Sequence, residues 1–338
     1  MARTGGWRRR GRKGAFWYAD ARGKRIEDPA KIARIEALVI PPAWRDVWIS
    51  PRATAKLQAV GVDAAGRRQY LYHPEYRARQ EQAKYDRLIL FAERLPSLRE
   101  AMAEHMEHDG TDRERVSAVA LRLINLGWLR VGGDRYARES RTYGVTTLQK
   151  RHVSVRGHRV KLSFRAKHGV QVRTTIVDGE LAAAVKDLLA LPGGSRLFRY
   201  EWEGDVYNLT GKRLNDYVHI YLGDDFSAKD FRTWGGTLEA AVGLAELGLP
   251  ESEADAKRKV AAVMRRVGER LGNTPAVARS SYVSPAVVEQ YLDGITIDDF
   301  RPRHLRVVGA RDIALSREEQ ALLSLLRSWR IKRSRVAA

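Results

Sequence analysis

The chain has 338 residues, 44% of them hydrophobic, which suits about two ordinary domains with packed cores rather than a disordered polypeptide. Its 61 Lys and Arg against 41 Asp and Glu leave a formal net charge of +20, and a surface that basic draws polyanions, nucleic acid ahead of an anionic membrane. Cysteine is absent, which excludes disulfides and cysteine-bound zinc, and no apolar run reaches the ~18 residues of a membrane-spanning helix.

The N-terminal stretch Trp7-Arg8-Arg9-Arg10-Gly11-Arg12-Lys13 is basic, but no apolar segment follows it. It does not read as a signal peptide, and a cytoplasmic, nucleoid-associated protein is expected. Residues 14–80 read as a small strand-rich module. Ala15-Phe16-Trp17-Tyr18-Ala19-Asp20, Val47-Trp48-Ile49 and Gln69-Tyr70-Leu71-Tyr72 are short β-favouring runs bounded by Gly, Pro and Asp. Between the first two lies a helix signal, with Asp28 as N-cap, Pro29 at the first helical position, and Ile32, Ile35, Leu38 and Val39 at helical spacing.

From about Arg79 the periodicity becomes that of long helices. Tyr85, Leu88, Ile89, Phe91 and Leu95 mark one apolar face, and Val116, Val119, Ala120 and Leu123 another. Residues 150–177 alternate as strands do, in Val153-Ser154-Val155, Val160-Lys161-Leu162-Ser163-Phe164 and Val170-Gln171-Val172. Helices resume near Leu181 and are expected to continue to the end, where Ser316-x-x-Glu319 forms a capping box opening a basic C-terminal helix. The expected fold is α+β. A β-rich N-terminal domain (1–79) joins a larger, mainly helical domain with a small inserted sheet (80–338), and two such basic domains could clamp a duplex from two sides.

Several chemistries lack their signatures. No phosphate-binding glycine loop, no H-E-x-x-H and no G-x-S-x-G occurs, so no nucleotide, zinc-protease or serine-hydrolase site is implied. His105 and His108 share a helix face without a third ligand, which reads as two exposed histidines rather than a metal site. An enzyme built this way works on phosphate with side chains alone.

Four segments of the large domain stand out: Trp128-Leu129-Arg130-Val131-Gly132-Gly133-Asp134; Phe164-Arg165-Ala166-Lys167-His168-Gly169 at a hairpin tip; Ser227-Ala228-Lys229-Asp230-Phe231-Arg232-Thr233-Trp234; and Gly272-Asn273-Thr274-Pro275 followed by Ser280-Ser281-Tyr282-Val283-Ser284-Pro285. Singly, each has an ordinary explanation: a solvated arginine at a helix end, a solubilising lysine on a turn, a packed tyrosine. Together and in this order they resemble the active site of type IB DNA topoisomerases of the compact poxvirus-like kind found in bacteria. The resemblance runs from about Arg79 to the end and reaches into the N-terminal module.

That resemblance implies a 3′-phosphotyrosyl intermediate on Tyr282, strand rotation and religation. It implies no ATP, no obligatory metal or other cofactor, and a monomer around double-stranded DNA. The residues suit those roles. A phenol with pKa near 10 is a poor nucleophile at neutral pH unless cations lie close. Arg130 and Arg232 can fork onto the non-bridging phosphate oxygens, which gain charge in the transition state. Lys167, on a mobile hairpin, is the natural proton donor to the leaving 5′-oxygen, its pKa lowered by neighbouring arginines. Ser284 as cap and Pro285 behind it place Tyr282 at the positive end of a helix. The chain departs from the family at Asn273, where the family usually has His; an amide still donates a hydrogen bond to phosphate but carries no charge.

In the small module, Gln69-Tyr70-x-Tyr72 resembles the segment by which the poxvirus enzymes touch DNA, although a strand with two buried tyrosines explains it equally. Tyr136 and Lys229 match family positions that contact the phosphate backbone. The nearest rival is a tyrosine recombinase, which shares the fold and the covalent intermediate. Recombinases carry His-x-x-Arg where this chain has Lys229-x-x-Arg232, lack the β-rich module and assemble as tetramers. A non-enzymatic architectural DNA-binding protein would explain the charge but not the four segments.

Overall fold

A computed structural model describes residues 5–301 and 313–337. The chain divides into two compact units, Met1–Tyr85 and Asp86–Ala338.

The first unit is a five-stranded antiparallel sheet of order β2-β1-β3-β4-β5. Its strands are β1 (Trp7–Arg12), β2 (Ala15–Ala19), β3 (Arg45–Ile49), β4 (Leu57–Val62) and β5 (Arg68–Tyr72). Helix α1 (Pro29–Ala37) starts as its sequence demands: Asp28 accepts from the Ala30 and Lys31 N–H groups, and Pro29 fills the first turn, where no N–H is needed. Ile35 of α1 packs with Trp7, Val47, Ile49 and Ala59 to make the core. Two strands were not anticipated. The arginines of β1 disguise a strand whose Trp7 is buried, while Arg9 lies 4.2 Å from the Phe16 ring centroid and donates to the Trp44 carbonyl at 2.6 Å. Strand β4 carries Gln58, Ala59 and Gly61, residues of weak β preference that the flanking strands override.

In the chain that follows, α2 (Pro74–Met106) begins earlier than the expected Arg79. Helices α3 (Arg113–Gly127) and α4 (Asp134–Glu139) come next. Strands β6 (Val153–Arg156), β7 (Arg159–Arg165) and β8 (Gln171–Val177) form an antiparallel sheet in that order. Along β7 the alternation is regular: Val160, Leu162 and Phe164 are buried between exposed Lys161, Ser163 and Arg165.

Helix α5 (Gly179–Ala190) does not open an unbroken helical run, which corrects the sequence expectation. A two-stranded hairpin, β9 (Arg199–Trp202) and β10 (Asp205–Asn208), interrupts it. Its Glu203-Gly204 turn has positive φ at both residues, 51° and 84°, which fits the right-handed twist of a tight hairpin. Then come α6 (Gly211–Leu222), α7 (Asp230–Glu246), α8 (Glu253–Leu271), α9 (Pro275–Ser281), α10 (Pro285–Leu292) and α11 (Arg317–Ala337).

Helix α7 is the centre of this unit, with Phe231, Trp234, Ala240, Ala241 and Leu244 all buried. The capping box at α11 forms as expected: Ser316 N–H donates to Glu319 at 2.9 Å and Glu319 N–H to Ser316 Oγ at 3.2 Å. Glu319 also accepts from both ends of the Arg99 guanidinium and from Trp234 Nε1, tying α11 to α2 and α7. Among the described residues no helix is long and apolar enough to cross a membrane.

Candidate active site

Arg232 lies in the first turn of α7 and is 4% exposed. Its guanidinium carbon sits 5.1 Å from the Tyr282 ring centroid. One terminal nitrogen donates to the Trp128 carbonyl and the other to the Leu271 carbonyl at 2.8 Å. Its Nε–H is buried with no hydrogen-bond partner among the described residues. Arg130 follows the end of α3 and donates from Nη2 to the Gly272 carbonyl at 2.9 Å and to Asn273 Oδ1 at 2.8 Å. All these acceptors are neutral oxygens, so the pair of cations is oriented by a collar of carbonyls, with no carboxylate among the described residues paired to either.

The electrostatics follow from that arrangement. Burial pushes Arg232 down to about 10, with Arg130 adding to the effect, and it remains a cation at neutral pH. Burial likewise lowers Arg130, opposed by Tyr282. For Tyr282 burial alone would raise the phenol. Burial is the largest single influence, but Arg232, by charge and hydrogen bonding, together with Arg130 and Lys229 outweighs it, and the net shift is downward from 10.

Tyr282 terminates α9, just ahead of α10, in a segment fixed from α7. The buried Thr237 hydroxyl lies 3.1 Å from the Tyr282 carbonyl and accepts from the Ser284 N–H at 3.1 Å. Pro285 fills the first position of α10 as expected. Ser284 stands at the N-cap position, but its hydroxyl makes no capping bond and is buried without a partner among the described residues. The Gly235-Gly236 pair of α7 gives the close approach: a Cβ at Gly236 would lie 3.0 Å from the Tyr282 carbonyl, and one at Gly235 would lie 2.2 Å from the Trp128 indole. Trp128 itself adopts φ 48°, ψ 36°, a left-handed conformation that costs an L-residue roughly 1–2 kcal/mol. In the sequence Trp128 stands out only as part of the Arg130 segment, and Thr237 and the two glycines are not singled out. The available signal was a glycine pair inside an otherwise helical pattern, which asks for a packing reason.

Arg130, Arg232, Asn273 and Tyr282 are thus brought together. Asn273 is turned differently from the sequence expectation: its carbonyl holds Arg130, and its Nδ2 lies 3.3 Å from the Leu271 carbonyl. Lys167 is exposed in the turn between β7 and β8 and makes none of these hydrogen bonds. The tip of that hairpin is near the site, because a Cβ at Gly272 would lie 3.7 Å from the Val170 side chain and 3.4 Å from Arg130 Nη1. A cleft of about 560 Å³ runs there, between β8, the Trp128–Arg130 segment and the end of α8.

Lys229 is exposed immediately before α7, and Tyr136 is half exposed on α4. In the first unit, Gln69 donates to Asp63 at 2.9 Å. Tyr70 and Tyr72 are not buried: they are 47% and 39% exposed on edge strand β5, stacked at 6.2 Å, with Tyr76 5.4 Å from Tyr72. His105 bonds Tyr217 and His108 bonds Asp112, and no metal-ligating cluster occurs among the described residues.

Comparison with known proteins gives two family matches. Residues 73–299 match the catalytic core of eukaryotic DNA topoisomerase I, and residues 15–63 match the N-terminal domain of bacterial DNA topoisomerase IB. The DNA topoisomerase 1B of Acanthamoeba polyphaga mimivirus is 31% identical over 268 residues, covering 77% of this chain and 80% of that protein. The DNA topoisomerase 1B of vaccinia virus (strain Western Reserve) is 22% identical over 255 residues, covering 73% of this chain and 76% of that protein. Among solved structures, a XerH site-specific recombinase bound to palindromic difH substrate aligns with a TM-score of 0.36 at 13% identity, over 57% of this chain and 49% of that one. That likeness is too slight to carry an argument.

Proposed function

The chain belongs to the type IB DNA topoisomerases, and from that membership we propose that it relaxes supercoiled duplex DNA by cutting one strand with Tyr282, letting the duplex turn, and resealing the strand. Tyr282 gives up its phenolic proton to solvent, the phenolate oxygen attacks the scissile phosphorus, a P–O bond to tyrosine forms, and the bond to the 5′-oxygen breaks. Lys167 supplies the proton that the departing 5′-oxygen needs. Religation runs the same path backwards. Each step exchanges one phosphodiester for another, so no ATP is needed to reseal. Arg130 and Arg232 supply fixed positive charge at the non-bridging oxygens, where charge accumulates in the transition state. EDTA should therefore leave relaxation intact.

The observation that carries this reading is the buried, un-neutralised Arg232 against the Tyr282 ring, with Arg130 beside it and one buried N–H left over. Two desolvated cations without a counter-ion among the described residues suit a phosphate and lower the phenol that would attack it. Tyr70, Tyr72 and Gln69, with Tyr136 and Lys229, are proposed to contact the duplex, the protein acting as a monomer.

The test is relaxation of supercoiled plasmid without ATP and with EDTA, beside a Tyr282→Phe variant. Relaxation by the wild type, loss of covalent adduct with binding retained in the variant, and a 3′-phosphate mapped to Tyr282 by mass spectrometry are expected. An ATP requirement, a 5′ linkage or an adduct on another tyrosine would refute the assignment.

A further inference from the structure

Two unfavourable local choices meet at one contact. Trp128, at the end of α3, holds a left-handed backbone that bulky residues avoid. Gly235 sits inside α7, where almost any other residue would make a better helix. The two are one feature, since a Cβ at Gly235 would penetrate the indole at 2.2–2.4 Å. The ring also carries Arg270, whose guanidinium lies 4.3 Å from its centroid and pairs with Glu239 of α7 at 3.0 Å. The indole is therefore seated between α7 and α8. It is only partly buried and borders the cleft beside the site, which is unlike an ordinary core filler. The left-handed turn it anchors presents the Trp128 carbonyl to Arg232, and Arg130 follows two residues on. Backbone strain that coincides with a charged site points to a role in building that site.

We propose that Trp128 is a positioning residue for strand transfer: its indole, seated on Gly235, fixes the turn that aims both Arg232 and Arg130 at the scissile phosphate. The proposal rests on the topoisomerase reading above. The indole touches no reacting atom and acts through the two arginines.

Three variants of the full chain separate this role from simple stability. Trp128→Gly keeps the left-handed turn accessible and removes the ring, Trp128→Phe keeps a smaller ring, and Gly235→Ala leaves the ring but blocks its seat. Single-turnover cleavage is measured against pH, below the melting temperature of each variant, on a phosphate duplex and on one with a neutral methylphosphonate at the scissile position. Trp128→Gly and Gly235→Ala should slow phosphate cleavage about ten- to a hundredfold, the scale of a misplaced transition-state donor. Their pH profiles should move to higher pH as Arg232 leaves the phenol, and Trp128→Phe should recover most of the rate. The loss should shrink on methylphosphonate, which makes less demand for positive charge. Wild-type rates and pH profiles in all three variants, or equal losses on both substrates, would overturn the proposal. A wild-type protein that forms no Tyr282 adduct would instead overturn the parent reading.

Discussion

A phenol held against a guanidinium titrates at lower pH, because the cation favours the phenolate. In the wild type Arg232 brings Tyr282 below 10 despite burial, so at a given pH above neutrality more of it is phenolate. Arg232→Ala leaves burial opposed only by Arg130 and Lys229, the phenol rises, and the cleavage profile should move to higher pH with a rate loss of about 10²–10³. Lys167→Ala should slow cleavage strongly, and a 5′-bridging sulfur should restore most of the loss, because a thiolate leaves without a proton. Equal impairment on oxygen and sulfur would remove Lys167 from the acid role. At Asn273 the amide oxygen already holds Arg130. Asn273→Asp should therefore be more damaging than Asn273→Ala, since a carboxylate there would pair with the cation that the phosphate needs; the reverse order of cleavage rates would show that the amide does not act through Arg130. The side chains of this site were legible in sequence because each carries its chemistry in its residue type. The acceptors that aim them were not, because the carbonyls of Trp128, Leu271 and Gly272 belong to the main chain and leave no mark in residue identity.

Elements with their own start signals were legible. Asp28-Pro29 opens α1, Ser316 and Glu319 open α11, and the alternation Val160, Leu162, Phe164 declares β7. Elements whose reason lies in distant contacts were not. The arginine-rich β1 is a strand because β2 and β3 flank it, and β9–β10 are four-residue strands whose aromatic face, Tyr200 stacked on Tyr207 beside Trp202, is too short an alternation to read. The α11 junction supports a stability prediction. Glu319 is nearly buried, and although burial raises its carboxyl, Arg99 together with Trp234 and the Ser316 N–H holds it below the usual value. A depressed folded pKa contributes stability that is complete above the unfolded value near 4.3 and lost as pH falls through the lower folded one. Denaturant melts should therefore show α11 docking weakening only below about pH 4. Glu319→Ala, which strands the buried Arg99 charge, should cost about 3–5 kcal/mol at neutral pH. A cost below about 1 kcal/mol, typical of an exposed pair, would show that the junction is not holding α11.

At the scale of the molecule, the +20 net charge was the first feature to point toward nucleic acid. Affinity for duplex DNA should fall linearly with the logarithm of salt, by roughly 0.9 per phosphate neutralised. A flat plot from filter binding or anisotropy would mean that the excess charge does not meet the DNA. A mechanical consequence follows from the way Tyr282 is mounted. In the proposed covalent intermediate, torque from the turning duplex would reach the protein through one side chain set between two short helices. The short segment Tyr282–Ser284 is pinned by Thr237 to α7, the most buried helix of its unit. On that reading the load would pass into the core rather than into a surface loop, and the ends to be rejoined would be kept in register as the DNA turns. Thr237→Val preserves shape and removes the pin. Under applied torque in a single-molecule tether, it should change the number of turns released per cleavage event far more than the cleavage rate of a short, unloaded duplex.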